Sequence, residues 1–290
     1  MKIVVIGGSG FLGSHVADHL SQAGNDVTVY DHVPSVWTRP DQKMIVGDIS
    51  DFPKLLAIMK GADVVYNFAA IADLDQARNQ PLLTADVNIL GNVSVLEACR
   101  VSKVKRFIFA STVYVYSRVG SFYRCSKQAA ELFVEEYQKM YGLDFTILRY
   151  GSLYGPRSDE SNGMYRIVST ALESGKIKFT GHIDTMREYI HVEDAARASV
   201  LALDEKFRNE SIVLTGQEPM KVLDMLRVLA EILGVPTDEI DFENVSSADH
   251  YTRTPYAYQP KMGRKYIPSL HVDLGQGLLQ LVEEIVSEIH

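Results

Sequence analysis

Two cysteines in 290 residues, Cys99 and Cys125, are too few for a disulfide framework. They also lack the paired spacing of a metal site, and none of the eight histidines has ligand spacing, so no metal is expected. No run approaches the roughly 18 consecutive apolar residues that span a bilayer. The opening MKIVVIGG stops at glycines after a single lysine, which reads as a buried strand and not as a leader. Positive charge is in deficit: 29 Lys and Arg face 37 Asp and Glu, a net charge of −8 with a pI near 5.5. That balance argues against a nucleic-acid or anionic-membrane partner. Internal repeats and low-complexity stretches are absent too. What is left is a globular chain suited to a reducing cytoplasm, long enough for one large domain or two unequal ones.

Within the first 150 residues, strand-like apolar runs alternate with helix-length segments. Lys2–Gly7 precedes a helical stretch from Phe11 to Ala23, then Asp26–Asp31; Met44–Asp48 leads to Asp51–Lys60 and Asp63–Ala70. A helix pattern over Leu82–Ser102 precedes Val104–Ser111, and another over Tyr123–Tyr141 stops at Gly142 before Asp144–Tyr150. Strands joined by helices imply an α/β fold, a doubly wound parallel sheet of Rossmann type buried on both faces. After Tyr150 the alternation loosens. The expectation is a nucleotide-binding domain over 1–151 and a smaller substrate domain over 152–290, with part of 176–205 packing back on the first. The latter contains helices at Gly163–Ser174, Glu193–Leu203, Met220–Leu233 and Leu274–Ile289, and an unpatterned loop at Asp249–Pro268.

Gly7, Gly10 and Gly13 follow the first strand and open the first helix, with Phe11 and Leu12 between them. Glycines there let the backbone approach a pyrophosphate, and the helix N-terminus stabilises its charge. Asp31 ends the second strand, where a carboxylate accepts both hydroxyls of a ribose and repels a 2′-phosphate, so NAD is favoured over NADP. Asp48 and Ile49, then Phe68, Ala69 and Ala70, fall on the same carboxyl edge of the sheet, where ligands of this fold bind. Further on, Tyr123 and Lys127 stand four apart in YRCSK, one face of one helix. A cation there favours the phenolate and fits Tyr123 for acid/base work near neutrality.

GGSGFLG, Asp31, NFAA, STVYVY, YRCSK, RYGSLYGPR and MREYIHVEDAA occur in this order, and the chain resembles the extended short-chain dehydrogenase/reductases. Its nearest likeness is to their NAD-dependent epimerase/dehydratase branch, which acts on nucleotide sugars. The resemblance covers residues 1–205 and implies a catalytic set of Thr112, Tyr123 and Lys127. Tyr123 would take the proton of a sugar hydroxyl as hydride leaves its carbon, Thr112 would bond the sugar oxygen, and Lys127 would bind the nicotinamide ribose. It further implies Ser111 and Tyr150 toward the cofactor, Asn88 behind the site, and Ser152 and Arg187 on the substrate, Arg187 on its diphosphate. Ser152 stands where many members have asparagine. A homodimer through the helices at Leu82–Ser102 and Tyr123–Tyr141 is implied as well, with Val93, Leu96, Leu132, Phe133 and Tyr137 offering apolar surface.

Two departures narrow the chemistry. Dehydratases of the family carry an Asp-Glu pair after the active-site threonine, and decarboxylases a Glu at the second position; here stand Val113 and Tyr114. Elimination and decarboxylation are thereby disfavoured. Only the stretch Val113–Phe122 separates Thr112 from Tyr123, a short connection that suggests an open sugar pocket. The leading expectation is a C4 epimerase of a UDP-hexose. A reductase or dehydrogenase of a nucleotide sugar or small carbonyl compound, and an NAD-sensing binding protein, stand as alternatives.

Overall fold

The apolar runs of the first half become strands β1 (Lys2–Ile6), β2 (Asp26–Asp31), β3 (Lys43–Val46), β4 (Val64–Asn67), β5 (Arg106–Thr112) and β6 (Asp144–Tyr150). They come from a computed structural model that describes residues 1–182, 184–244 and 250–256. Between them lie α1 (Phe11–Gln22), α2 (Phe52–Met59), α3 (Leu74–Asn79), α4 (Pro81–Ala85), α5 (Asn92–Ser102) and α6 (Ser121–Tyr141). The second half adds β7 (Ser152–Tyr154), β8 (Ile177–Gly181), β9 (Met186–Arg187), β10 (Tyr189–His191), β11 (Glu210–Leu214), β12 (Met220–Lys221) and β13 (Ile240–Asn244). Its helices are α7 (Gly163–Ser174), α8 (Val192–Leu201) and α9 (Val222–Leu233). The expected helix at Leu274–Ile289 and most of the loop at Asp249–Pro268 lie outside the described residues.

The main sheet has the order β11-β6-β5-β4-β1-β2-β3 and every pairing in it is parallel. Parallel strands must be covered on both faces, and two apolar clusters do so. Val4, Val65, Phe107, Phe109 and Ile147 pack under α2, α5 and α6 on one side. On the other, Ile3, Val5, Tyr66, Ile108 and Leu148 meet α1 and α8. The sheet therefore has a seventh strand contributed by the second half, β11, in register with β6 from Glu210↔Thr146 to Leu214↔Tyr150. A separate cluster around Ile177, Leu226 and Ala230 joins α7, β8, α9 and β13.

Helices α1 and α8 are held by more than apolar contact. Glu193 in the first turn of α8 meets His15 Nδ1 at 2.8 Å and His19 Nε2 at 2.6 Å, and the His19 hydrogen bond holds this carboxyl below its usual range. His15 Nε2 reaches Pro156 O at 3.0 Å.

Residues 81–102 form one continuous helical stretch, long and apolar enough by length and composition to cross a membrane. Its buried side chains Val95, Leu96, Ala98 and Cys99 belong to the core under the sheet. The stretch widens into a π-helical turn over Asp86–Gly91, a local irregularity that recurs at functional sites. Here it carries Asn88 inward.

Candidate active site

The end of β1 and the start of α1 form a cradle that only glycine permits. A Cβ on Gly7 would lie 2.4 Å from Ala69 N, and Gly7 has φ of +75°. A Cβ on Gly13 would lie 2.2 Å from Gly7 O. Gly10 makes no such tight contact, its nearest being Gly7 O at 3.4 Å, so its missing side chain leaves room for a ligand. Helix α1 has no capping side chain and no acidic residue in its first turn. Its first N–H groups and its dipole are available to an anion. Asp31 follows directly: its carboxylate accepts from Ser9 N at 3.0 Å and lies 2.8 Å from His32 Nδ1, which ties the glycine loop to the end of β2. A glycine cradle, an uncapped helix and a strand-end carboxylate fit the pyrophosphate and ribose of a dinucleotide. Gly13→Ala should therefore displace the Gly7 carbonyl and abolish measurable NAD binding in calorimetric titration. It should also lower stability by about 1–3 kcal/mol, as overpacking does; unchanged NAD affinity would contradict the cradle.

The remaining residues of this edge are placed as follows. Phe11 lies edge-on to His15, and the Leu12 side chain enters the core, leaving its backbone at the helix start. Asp48 is engaged by Ser50, whose hydroxyl and N–H bond its Oδ1 at 2.6 and 2.8 Å and hold its carboxyl below the usual range. Ile49 packs over Gly91. Beyond β4 the chain turns at Asn67, whose Oδ1 accepts from Ala69 N at 3.1 Å, so the strand ends before Phe68, Ala69 and Ala70.

Thr112, Tyr123 and Lys127 come together where β5 meets α6. Tyr123 and Thr112 line the same cavity wall, Thr112 Oγ1 accepts from Tyr114 N at 3.3 Å, and Lys127 Nζ lies 5.9 Å from the Tyr123 ring centre. The ammonium donates to Ala110 O at 2.7 Å and sits 4.8 Å over Phe109. The expected downward pull on the phenol is not seen. Burial pushes Tyr123 up to about 12, opposed by the Thr112 side chain, while burial brings Lys127 down to about 8 against the Glu131 charge. A cation buried under a ring and turned to a carbonyl does little for a phenol whose own desolvation dominates.

Ser111 and Tyr150 turn away from the cofactor-facing positions expected of them, and Asn88 is engaged within the fold behind the site. Ser111 donates to Glu131 Oε1 at 2.5 Å, because adjacent strand residues face opposite ways and Thr112 takes the cavity side. Tyr150 is buried with its hydroxyl on Ser199 Oγ at 2.6 Å, part of the packing between β6 and α8. Asn88 is engaged on both sides of its amide: it accepts from Ile71 N at 2.7 Å and donates to Ile71 O at 3.0 Å and Ser126 Oγ at 2.9 Å. It clamps the loop after β4 to helix α6.

A cavity of about 540 Å³ opens beside Thr112 and Tyr123, bounded on its far side by α7, β8 and β9. That size suits a small-molecule ligand, whose sites run about 300–1,000 Å³. Ser152 and Arg187 line it, as do Tyr114 and His250, which share a hydrogen bond of 2.8 Å. Its carboxylates, Asp73 and Asp75, are already paired: Asp73 caps α3 through Gln76 N and meets Arg166, and Asp75 meets Arg78. Sequence reasoning missed two features of the site. Glu131, one turn beyond Lys127, bridges Ser111 and Arg149, a partner that helical spacing alone could have suggested. Tyr251, behind the cavity wall, sits in a loop without periodicity and gave no signal.

This cradle beside a Thr–Tyr–Lys cluster defines an NAD-dependent enzyme of the short-chain dehydrogenase/reductase type. The chain belongs to the NAD dependent epimerase/dehydratase family, whose pattern it matches over residues 3–215. It is 27% identical to a putative UDP-glucose 4-epimerase of Methanocaldococcus jannaschii, covering 97% of each chain. The crystal structure of UDP-glucose 4-epimerase from Thermotoga maritima with UDP-glucose superposes with a TM-score of 0.81 at 28% identity over 100% of both chains. That of Thermus thermophilus with NAD gives 0.80 at 26% identity, covering 91% of this chain and 95% of the other.

Proposed function

We propose that the protein interconverts C4 epimers of a UDP-hexose through a transient 4-keto sugar. The observation carrying this reading is that Tyr123 and Thr112 line one cavity wall with no carboxylate next to Thr112 in the chain. Val113 is fully buried and Tyr114 is a phenol. Bound NAD supplies the hydride acceptor and donor. Thr112 orients the sugar oxygen, Tyr123 moves its proton, and Lys127 holds the cofactor ribose. Arg187 meets the diphosphate and Ser152 lies beside it. The acid/base functions that elimination needs are not supplied by Asp73 and Asp75, which are held by Gln76, Arg166 and Arg78.

Incubation with UDP-glucose and related UDP-sugars, without added NADH, should yield the C4 epimer. Stoichiometric loss of NADH with no epimer from any UDP-sugar would move the assignment to a reductase.

A homodimer accompanies this reading. Leu82 and Leu90 on the 81–102 helix, and Leu132, Phe133 and Met140 on α6, are exposed apolar residues of two neighbouring helices. Leu96 is fully buried and Tyr137 packs against Glu97, so the surface is narrower than the sequence suggested. A two-fold contact covers such a face with its own copy, and a monomer in sedimentation at micromolar concentration would contradict it. The exposed free thiol of Cys125 suits a reducing cytoplasm.

A further inference from the structure

We infer that Tyr251 is a positioning residue for substrate binding: its ring and carbonyl hold the Arg187 guanidinium in the orientation that receives the diphosphate. The inference rests on the reading of Arg187 as the diphosphate ligand. Arg187 Nη1 donates to Tyr251 O at 2.6 Å and to Met186 O at 3.0 Å, and the guanidinium carbon lies 4.3 Å over the Tyr251 ring. Those two bonds engage one nitrogen and leave Nε and Nη2, the side-on fork that matches two oxygens of a phosphate.

Tyr251 is itself fixed. It is only 7% exposed, its ring centre is 4.7 Å from that of Tyr114, and the flanking Thr252 O accepts from Met186 N at 2.7 Å. On its other flank His250 Nδ1 meets the Tyr114 hydroxyl at 2.8 Å. Tyr251 thus stands between Tyr114, whose ring is 6.3 Å from that of Tyr123, and Arg187. Two aromatic side chains, Tyr251 and Tyr114, lie between Arg187 at one end of the cavity and Tyr123 at the other. That residue lies beyond 215, where the family match ends.

An arginine held in its binding rotamer loses less conformational freedom when ligand arrives, and a stacked ring keeps its cation near the cavity without neutralising it. Removing the ring should therefore weaken nucleotide binding and spare the chemical step. In the NAD-loaded full-length protein, Tyr251→Leu should raise the Kd for UDP and the KM for UDP-sugar about tenfold, the size set by immobilising one long side chain and one cation–π contact. The kcat should stay near wild type. Tyr251→Phe keeps ring and carbonyl and should bind UDP as the wild type does; a tenfold loss there overturns the inference whether or not the leucine variant folds well.

Arg187→Ala separates this inference from the reading beneath it. If Arg187→Ala leaves UDP affinity unchanged, the diphosphate reading fails and the inference falls with it. If Arg187→Ala weakens UDP binding, Tyr251→Leu should add nothing in the Arg187→Ala background. The same tenfold loss there, or no loss in Tyr251→Leu alone, would show that Tyr251 does not act through Arg187.

Discussion

Tyr123→Phe is expected to lower kcat by about 10²–10⁴-fold, the usual size of a lost acid/base group. NAD and UDP should bind as before, since the ring and its surroundings remain. Tyr123 lines the cavity wall together with Thr112, and phenylalanine deletes its hydroxyl alone. Burial pushes this phenol up to about 12, so in the unliganded protein it keeps its proton near neutral pH. The bound complex has to lower that value, and the rate should rise with pH as the phenolate becomes populated. Lys127 acts in the opposite sense, since its charge is lost as pH rises through about 8. The profile of kcat, which reports the bound complex, should climb from acid pH and fall again as Lys127 loses its proton. In the phenylalanine variant the rising limb should vanish. Retention of full activity in Tyr123→Phe would assign the proton transfer elsewhere, with Tyr114 as the first candidate because it lines the same cavity.

The residues that proved legible in the sequence are those whose signal is local and backbone-driven. Gly7 and Gly13 are dictated by sub-contact distances to Ala69 N and Gly7 O, constraints that leave no other residue type and so mark the sequence plainly. The spacing of Tyr123 and Lys127 follows from helical geometry: Tyr123 lines the cavity wall beside Thr112, and Lys127 lies buried behind it, 5.9 Å from its ring centre. Other positions were misplaced for reasons of parity and partner. Ser111 and Thr112 are neighbours on a strand and face opposite ways; with Thr112 on the cavity side Ser111 turns to Glu131, a partner on another element that the strand pattern does not show. Tyr150 fits a motif at the sheet edge, yet Ser199, forty-nine residues on, captures its hydroxyl. β11 has only three apolar residues in a row, Ile212 to Leu214, too short a run to be told from a core helix segment by pattern, and its pairing with β6 is a long-range event. Tyr251 owes its place to Tyr114 and Arg187, neither near it in the chain.

Glu131→Gln should remove about 3–5 kcal/mol of stability, the loss that follows when one member of a buried ion pair is deleted. Glu131 and Arg149 are both nearly inaccessible, joined by bonds of 3.0 Å from Nε and 2.7 Å from Nη2. A neutral amide removes the carboxylate charge that faces the guanidinium buried beside Tyr116. Replacing both partners by apolar residues, Glu131→Leu with Arg149→Met, deletes the charge along with its partner and should be markedly less destabilising than the single change. Denaturant titration of the two variants decides the matter: a double variant as unstable as the single would show that packing, not charge, holds this region. The same substitution has a catalytic signature that packing alone would not produce. The Glu131 charge raises the Lys127 pKa against the burial that brings it to about 8. Without that anion the lysine's pKa falls further, so it loses its proton at lower pH. The alkaline limb of kcat should then move toward acid in Glu131→Gln, while in Glu131→Asp, which keeps the charge, it should lie closer to its wild-type position. An unmoved limb in the folded glutamine variant would separate Glu131 from Lys127 and leave it a purely structural residue.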